Sequence, residues 1–177
     1  TDLEAWRRTR PRMPVIPRGA PGTFDGGTIL GVTSTCVHAG AESWLLYTAI
    51  NTGHGGPIPP KRITVGRATW RLHGFASHDA SPAGGRIETQ PLIVPGGTLL
   101  INADASRGRL RAALLEADGK PIAGCTLEGF EPLQADATRS VARWRGGRVP
   151  SDRPVRVVIE MTRTRLFSLA GGEAAAR

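Results

Sequence analysis

Ala68-Thr-Trp-Arg-Leu-His-Gly-Phe-Ala-Ser-His-Asp-Ala80 divides the 177-residue chain into two halves of different texture. Before it, short apolar segments are separated by loops rich in Gly, Pro and His. After it, apolar and polar residues alternate in regular segments bounded by tight-turn sequences. Alternation with period two reads as β-strands with one buried face. The 23 glycines and 14 prolines weigh the same way, since both weaken helix interiors and suit turns. The expected fold class is therefore all-β.

On the N-terminal side of this seam, strands are expected at residues 28–32, 35–38, 43–50 and 63–72. The run Trp44-Leu-Leu-Tyr47 to Ile50 is apolar enough for a strand buried on both faces. Asn51-Thr-Gly-His-Gly-Gly-Pro-Ile-Pro-Pro60 lies between the last two strands, and a loop of that length and composition is often functional. Residues 1–23 carry Pro11, Pro14, Pro17 and Pro21, which keep the segment extended or looped, with a short edge strand expected at 13–16. Asp25-Gly-Gly is a turn signal.

On the C-terminal side, strands are expected at 86–94, 98–103, 108–117, 122–127, 138–144, 155–161 and 165–169. Asp118-Gly119 marks a hairpin turn, and Pro95-Gly-Gly97 and Gly146-Gly147 mark others. About seven short strands with turns at roughly ten-residue spacing fit a β-sandwich. The small, polar residues 171–177 read as a frayed tail.

The formal charge of +8 rests almost wholly on arginine. Clustering is what marks a nucleic-acid surface. Here the arginines are spread along the chain and alternate with apolar residues, as in Arg153-Pro-Val-Arg-Val-Val-Ile-Glu160, the pattern of a solvated strand face. No nucleic-acid partner is expected, and no apolar run is long enough to span a bilayer. Cys36 and Cys125 form no metal-type or redox-type pair; a disulfide between them stays open, with two free buried thiols the favoured reading. The four histidines lack metal-ligand spacing, and no acidic loop suggests calcium.

Several phrases in order along the chain resemble the C-terminal part of five-bladed β-propeller glycoside hydrolases, the relatives of glycoside hydrolase families 32, 43 and 130. They are Trp6-Arg-Arg8, Pro17-Arg-Gly-Ala-Pro-Gly-Thr-Phe-Asp25, Trp44-Leu-Leu-Tyr-Thr-Ala49 with Gly53-His54, and Arg62-Ile-Thr-Val-Gly-Arg-Ala-Thr-Trp-Arg-Leu-His-Gly-Phe75. Beyond the seam, Leu100-Ile-Asn-Ala-Asp-Ala105, Leu115-Glu-Ala-Asp-Gly-Lys-Pro-Ile-Ala-Gly124 and Val141-Ala-Arg-Trp-Arg-Gly-Gly147 are similar to the sandwich appended to that propeller. The chain departs from the pattern at His73, where Asp is favoured, at His78, where Leu is favoured, and at Tyr47-Thr48, which replaces Tyr-Tyr or Tyr-Gly.

The resemblance implies the last blade of a propeller over residues 1–75, an antiparallel β-sandwich over 76–170 and a disordered tail over 171–177. It implies a glycosidase acting on an oligo- or polysaccharide, with no cofactor. Glycoside hydrolysis uses two carboxyl groups flanking the scissile bond. In such propellers they come mainly from earlier blades, so this chain alone is expected to be inactive, with the rest of the propeller outside it. Asp25, His54 and Arg18 are the expected substrate-binding residues. Each has a plainer reading: a turn or cap for Asp25, a solvated loop histidine for His54, and one surface arginine among many for Arg18. Trp44 and Trp70 are expected in packing rather than sugar stacking, and Trp144 in the sandwich core. Two further functions stay open: a non-catalytic carbohydrate-binding or structural sandwich, and a basic polyanion-binding protein.

Overall fold

The computed structural model describes residues 13–172. It is all-β, in several antiparallel sheets with none closed into a barrel. The chain divides between Trp70 and Arg71 into two units.

The first unit holds one sheet: β1 (Thr28–Val32), β2 (Val37–Ala39), β3 (Glu42–Ile50) and β4 (Ile63–Arg71), whose final residue is counted with the second unit. β3 is the hub, pairing with β1, β2 and β4. Thr28 lies opposite Ile50 and Leu30 opposite Thr48, while Val37 lies opposite Trp44 and Ala39 opposite Glu42. Between them the Thr33 amide donates to the Leu46 carbonyl at 2.9 Å. β1 and β2 thus act as one interrupted strand along a single edge of β3.

Cross-strand partners share a sheet face, and this sorts the first unit's side chains. Leu30, Val37, Trp44, Leu46 and Thr48 lie on one face. Gly66 belongs to the other, because the Tyr47 ring rests on it, and this puts Val65 and Arg67 on the Trp44 face. The Arg67 guanidinium accordingly lies 5.9 Å from the Trp44 ring centroid. Leu30, Val37, Leu46 and Val65 are all exposed, Val65 at 66%. The opposite face buries Ser43, Tyr47 and Ala49.

The second unit contains two sheets. One runs β6 (Gly85–Glu88), β10 (Val155–Thr162), β8 (Arg109–Glu116) in spatial order. The other runs β5 (His78–Ala80), β11 (Thr164–Gly171), β7 (Leu99–Asp104), β9 (Asp136–Val141). Alternate residues of the two sheets meet in one buried cluster. Leu110, Ala112 and Leu114 come from β8, Val155, Val157, Ile159 and Met161 from β10, and Leu99, Ile101 and Ala103 from β7. Trp144 closes one side, edge-on to Phe130 with ring centroids 5.2 Å apart, and its indole N–H donates to the Ala112 carbonyl at 2.9 Å. A buried indole needs such a partner, and the residue is in the core as expected.

The strands expected from alternation are present in both units, with four differences. Residues 13–16 form no strand. The expected strand 86–94 ends at Glu88, because Pro91 cannot donate to the ladder, and Leu92 makes only an isolated bridge to Val155. Residues 122–127 are turns rather than a strand: after Pro121 the chain bonds back to Leu114, and Gly124 takes a φ of 76°. β5 was not expected; it is short, polar and part of the seam itself. Trp6-Arg-Arg8 and residues 173–177 of the expected tail lie outside the described residues, while Gly171 ends β11.

Candidate functional site

Ala20 to Gly26 folds into two consecutive turns before the chain enters β1. The Thr23 amide donates to the Ala20 carbonyl at 3.1 Å and the Gly26 amide to the Thr23 carbonyl at 3.2 Å. Close approach dictates the small residues here. A Cβ on Gly19 would sit 2.2 Å from Asp25 Oδ1, and one on Gly27 would sit 2.1 Å from the Thr52 carbonyl oxygen. The glycines let the turn close over its own aspartate and against the root of the following loop.

Asp25 is 8% exposed, and both carboxylate oxygens are engaged. Tyr47 Oη donates to Oδ2 at 2.8 Å, and the Thr23 hydroxyl hydrogen is shared between the Ala20 carbonyl at 2.7 Å and Oδ1 at 3.1 Å. A buried carboxylate needs such donors. Tyr47, 7% exposed, comes from the middle of β3 and is seated on Gly66 of β4, where a Cβ would lie 2.3 Å from its Cζ. Burial raises the Tyr47 pKa above the ordinary phenol value, and the Asp25 hydrogen bond and negative charge push it the same way. The phenol therefore stays a proton donor to Asp25 throughout the neutral range. The pair ties the turn to the sheet.

Arg18 is exposed along its side chain, and its Nη1 donates to the Gly27 carbonyl at 2.8 Å, closing the turn across nine residues. Phe24, beside Asp25 in sequence, is exposed at 51% on the same turn. His54 stands exposed in the loop between β3 and β4, and its carbonyl accepts from Lys61 Nζ. That loop is clamped at its base by Asn51, whose Oδ1 accepts from the Arg62 amide at 2.7 Å and whose Nδ2 donates to the Pro60 carbonyl at 3.1 Å. Ile58-Pro59 and Pro59-Pro60 are cis.

Of the three expected site residues, Arg18 and Asp25 thus belong to one folded turn. His54 is carried by a neighbouring loop whose root adjoins that turn: the Thr28 hydroxyl donates to the Thr52 carbonyl at 3.1 Å, and the Gly27 amide to the Ile50 carbonyl at 3.1 Å. Tyr47 and Phe24 were not expected at the site. Tyr47 carried a signal in the Tyr of the resemblance phrase. Phe24 carried one in the phrase Pro17 to Asp25. No second carboxylate joins Asp25 in any hydrogen bond or ion pair found among the described residues. Nor does any group of three or more His, Cys, Asp or Glu side chains there suit a metal ion. Both cysteines are free; Cys125 is buried, which raises its pKa, and Cys36 is half-buried. Among the described residues no helix is long and apolar enough to cross a membrane.

A second polar node lies in the second unit, at its first residue. Arg71 Nε donates to Asn102 Oδ1 at 2.7 Å, and Nη1 pairs with Asp136 at 2.6 Å. The guanidinium carbon lies 4.5 Å from the Phe167 ring centroid. Arg71 Nη2 is buried without a hydrogen-bond partner, and the ring face supplies its electrostatic compensation. Asn102, itself buried, donates through Nδ2 to the Leu72 carbonyl. A shallow cleft of about 60 Å³ beside it is lined by His73, Thr138, Arg139 and Ser168 among others. Since Asn102 spends its amide on Arg71 and Leu72, the node anchors the seam residues within their unit.

The chain matches no protein-family model, no curated protein and no solved structure.

Proposed function

We propose that this chain is the C-terminal part of a β-propeller glycoside hydrolase. In this reading the first unit is the last blade and the second unit an appended β-sandwich. The observation that carries the reading is the first unit's sheet, which leaves Leu30, Val37, Leu46 and Val65 exposed together on one face beside Trp44. Contiguous apolar surface of this kind marks an interaction site, and in a propeller each blade covers the face of its neighbour. The occupant of that face would be a preceding blade of the same polypeptide.

The chemistry then follows the division of carboxylates. Hydrolysis needs an acid and a nucleophile or base, about 5 Å apart for retention and about 6.5–9.5 Å for inversion. Asp25 is committed to Tyr47 and Thr23. It serves as a positioning residue that sets the Pro17–Gly27 turn, with Phe24 offering an apolar face to a sugar ring and Arg18 and His54 at the pocket edge. The reacting carboxylates would be supplied by the preceding blades.

The test is enzymatic and genetic together. The purified 177-residue chain should leave aryl glycosides intact, while the polypeptide extended through its upstream reading frame should hydrolyse a glycoside. Normal turnover by the short chain, or an upstream frame without further blades, would refute the proposal. A second reading, a non-catalytic carbohydrate-binding or structural sandwich, is favoured by the second unit's self-contained core. Calorimetric sugar binding by residues 71–172 alone would support the binding form of it.

A further inference from the structure

Three arginines of the second unit, Arg107, Arg109 and Arg163, are exposed and have no acidic partner among the described residues. Arg107 and Arg109 flank Gly108 in sequence, and the strand register brings the distant Arg163 to the same end of the unit. Arg109 begins β8 and lies opposite Thr162, the last residue of β10. Arg163 is the single residue between β10 and β11, held at a φ of 47°. Arg107 sits in the turn between β7 and β8, which is closed by the Gly108 amide donating to the Ala105 carbonyl at 3.1 Å.

The two turns are interlocked. A Cβ on Gly108 would lie 1.8 Å from the Thr162 carbonyl oxygen and 2.8 Å from that of Arg163. The Thr164 hydroxyl reaches the carbonyls of Arg109 at 3.2 Å and Thr162 at 2.9 Å, and the Arg163 amide donates to Ser81 at 3.2 Å. The backbone that carries the three side chains is therefore fixed before any ligand arrives, which lowers the ordering cost of binding. The acids of the adjoining strands are occupied: Glu160 with Arg111 at 2.9 Å, Asp79 with Arg165 at 3.6 Å, and Asp104 with the Ser106 hydroxyl at 2.6 Å.

We infer that this end of the second unit is a binding surface for an acidic polysaccharide, one bearing repeated carboxylate or sulfate groups. Guanidinium forks match the geometry of both groups. The surface lacks what a nucleic acid would call for. Neither turn carries an aromatic side chain to stack a base, and among the described residues there is no α-helix to enter a major groove. The inference concerns the second unit alone and stands apart from the propeller reading.

The test is affinity measurement on the 177-residue chain with two probes, polygalacturonate fragments for carboxylate and heparin oligosaccharides for sulfate, at low and moderate salt. Binding to at least one is expected, and the two arms tell which group is read. R107S/R109S/R163N, with Asn at 163 because it tolerates positive φ, should weaken that binding by about tenfold, the middle of what three exposed ion pairs contribute together. R143S/R145S/R148S, which removes as many exposed arginines elsewhere in the unit, should leave it unchanged. Failure to bind either probe, equal loss in both triple variants, or equal affinity for duplex DNA of matched charge would overturn the inference. A thermal melt of each variant separates lost binding from lost fold.

Discussion

The two units of this chain solve the same problem to different degrees. The second closes two sheets over one cluster, with Leu114, Val157 and Ile159 removed from water. The first has one sheet, buries Tyr47 and Ala49 on one face and Ile50 at the end of the other, and leaves Leu30, Val37, Leu46 and Val65 of that other face exposed. A sheet with one apolar face in water lacks the second layer on which a domain depends. The difference teaches which half is self-sufficient: the second unit is held by its own core, and the first by local polar ties such as Tyr47–Asp25.

The sharpest way to break this contrast is a pair of substitutions, one in each unit. Leu114→Ala or Ile159→Ala should destabilise the second unit by about 2–5 kcal/mol, the range for large-to-small changes in a packed core. Val65→Thr in the first unit should change stability by no more than about 0.5 kcal/mol, as for an exposed site. Both are read from denaturant unfolding of the same chain. A large loss at Val65 would mean that its face is covered, against the account.

Next in size is the polar tie. Tyr47→Phe removes the donor to Asp25 Oδ2 and should cost the first unit about 1–3 kcal/mol, the penalty for a buried acceptor left without its partner. Gly66→Ala pushes a methyl into the Tyr47 ring and should act in the same direction. Fluorescence of variants that keep Trp44 alone or Trp144 alone reports on the two units separately.

How much of this was legible beforehand differs between the units. In the second, alternation such as Arg109-Leu-Arg-Ala-Ala-Leu-Leu115 reveals strands and their inward residues, because burial on one face imposes period two. Residues 122–127 misled, since Ile122, Cys125 and Leu127 look strand-like, whereas Pro121 and Gly124 turn the chain and leave only Ile122 and Cys125 in the core. At the site, Asp25 was legible as a turn aspartate, but its real partner lies 22 residues away on β3. No local signal encodes that distance; it is created by the β1–β3 register. Arg107 and Arg109 are neighbours in sequence, but Arg163 joins them only in space, through the β8–β10 register.

Smaller effects sharpen the same contrast. Folding raises the Tyr47 pKa, so the folded state holds that proton more tightly than the unfolded chain. Its contribution is fully present below the unfolded phenol value near 10 and is lost as pH rises toward the higher folded value. Alkaline titration should therefore loosen the first unit above about pH 10, and Tyr47→Phe should abolish that dependence. Thiol labelling gives the smallest readout. Half-buried Cys36 should react first, and Cys125, buried and raised in pKa, only on opening of the second unit's core.

Hydrogen exchange resolved along the chain tests the central claim most directly. Amides of β8 and β10 should exchange only through global opening of their unit, and those of β1, β2 and β4 far faster through local opening. Equal, slow exchange in both units would contradict it, because the first unit would then have no need of a covering layer.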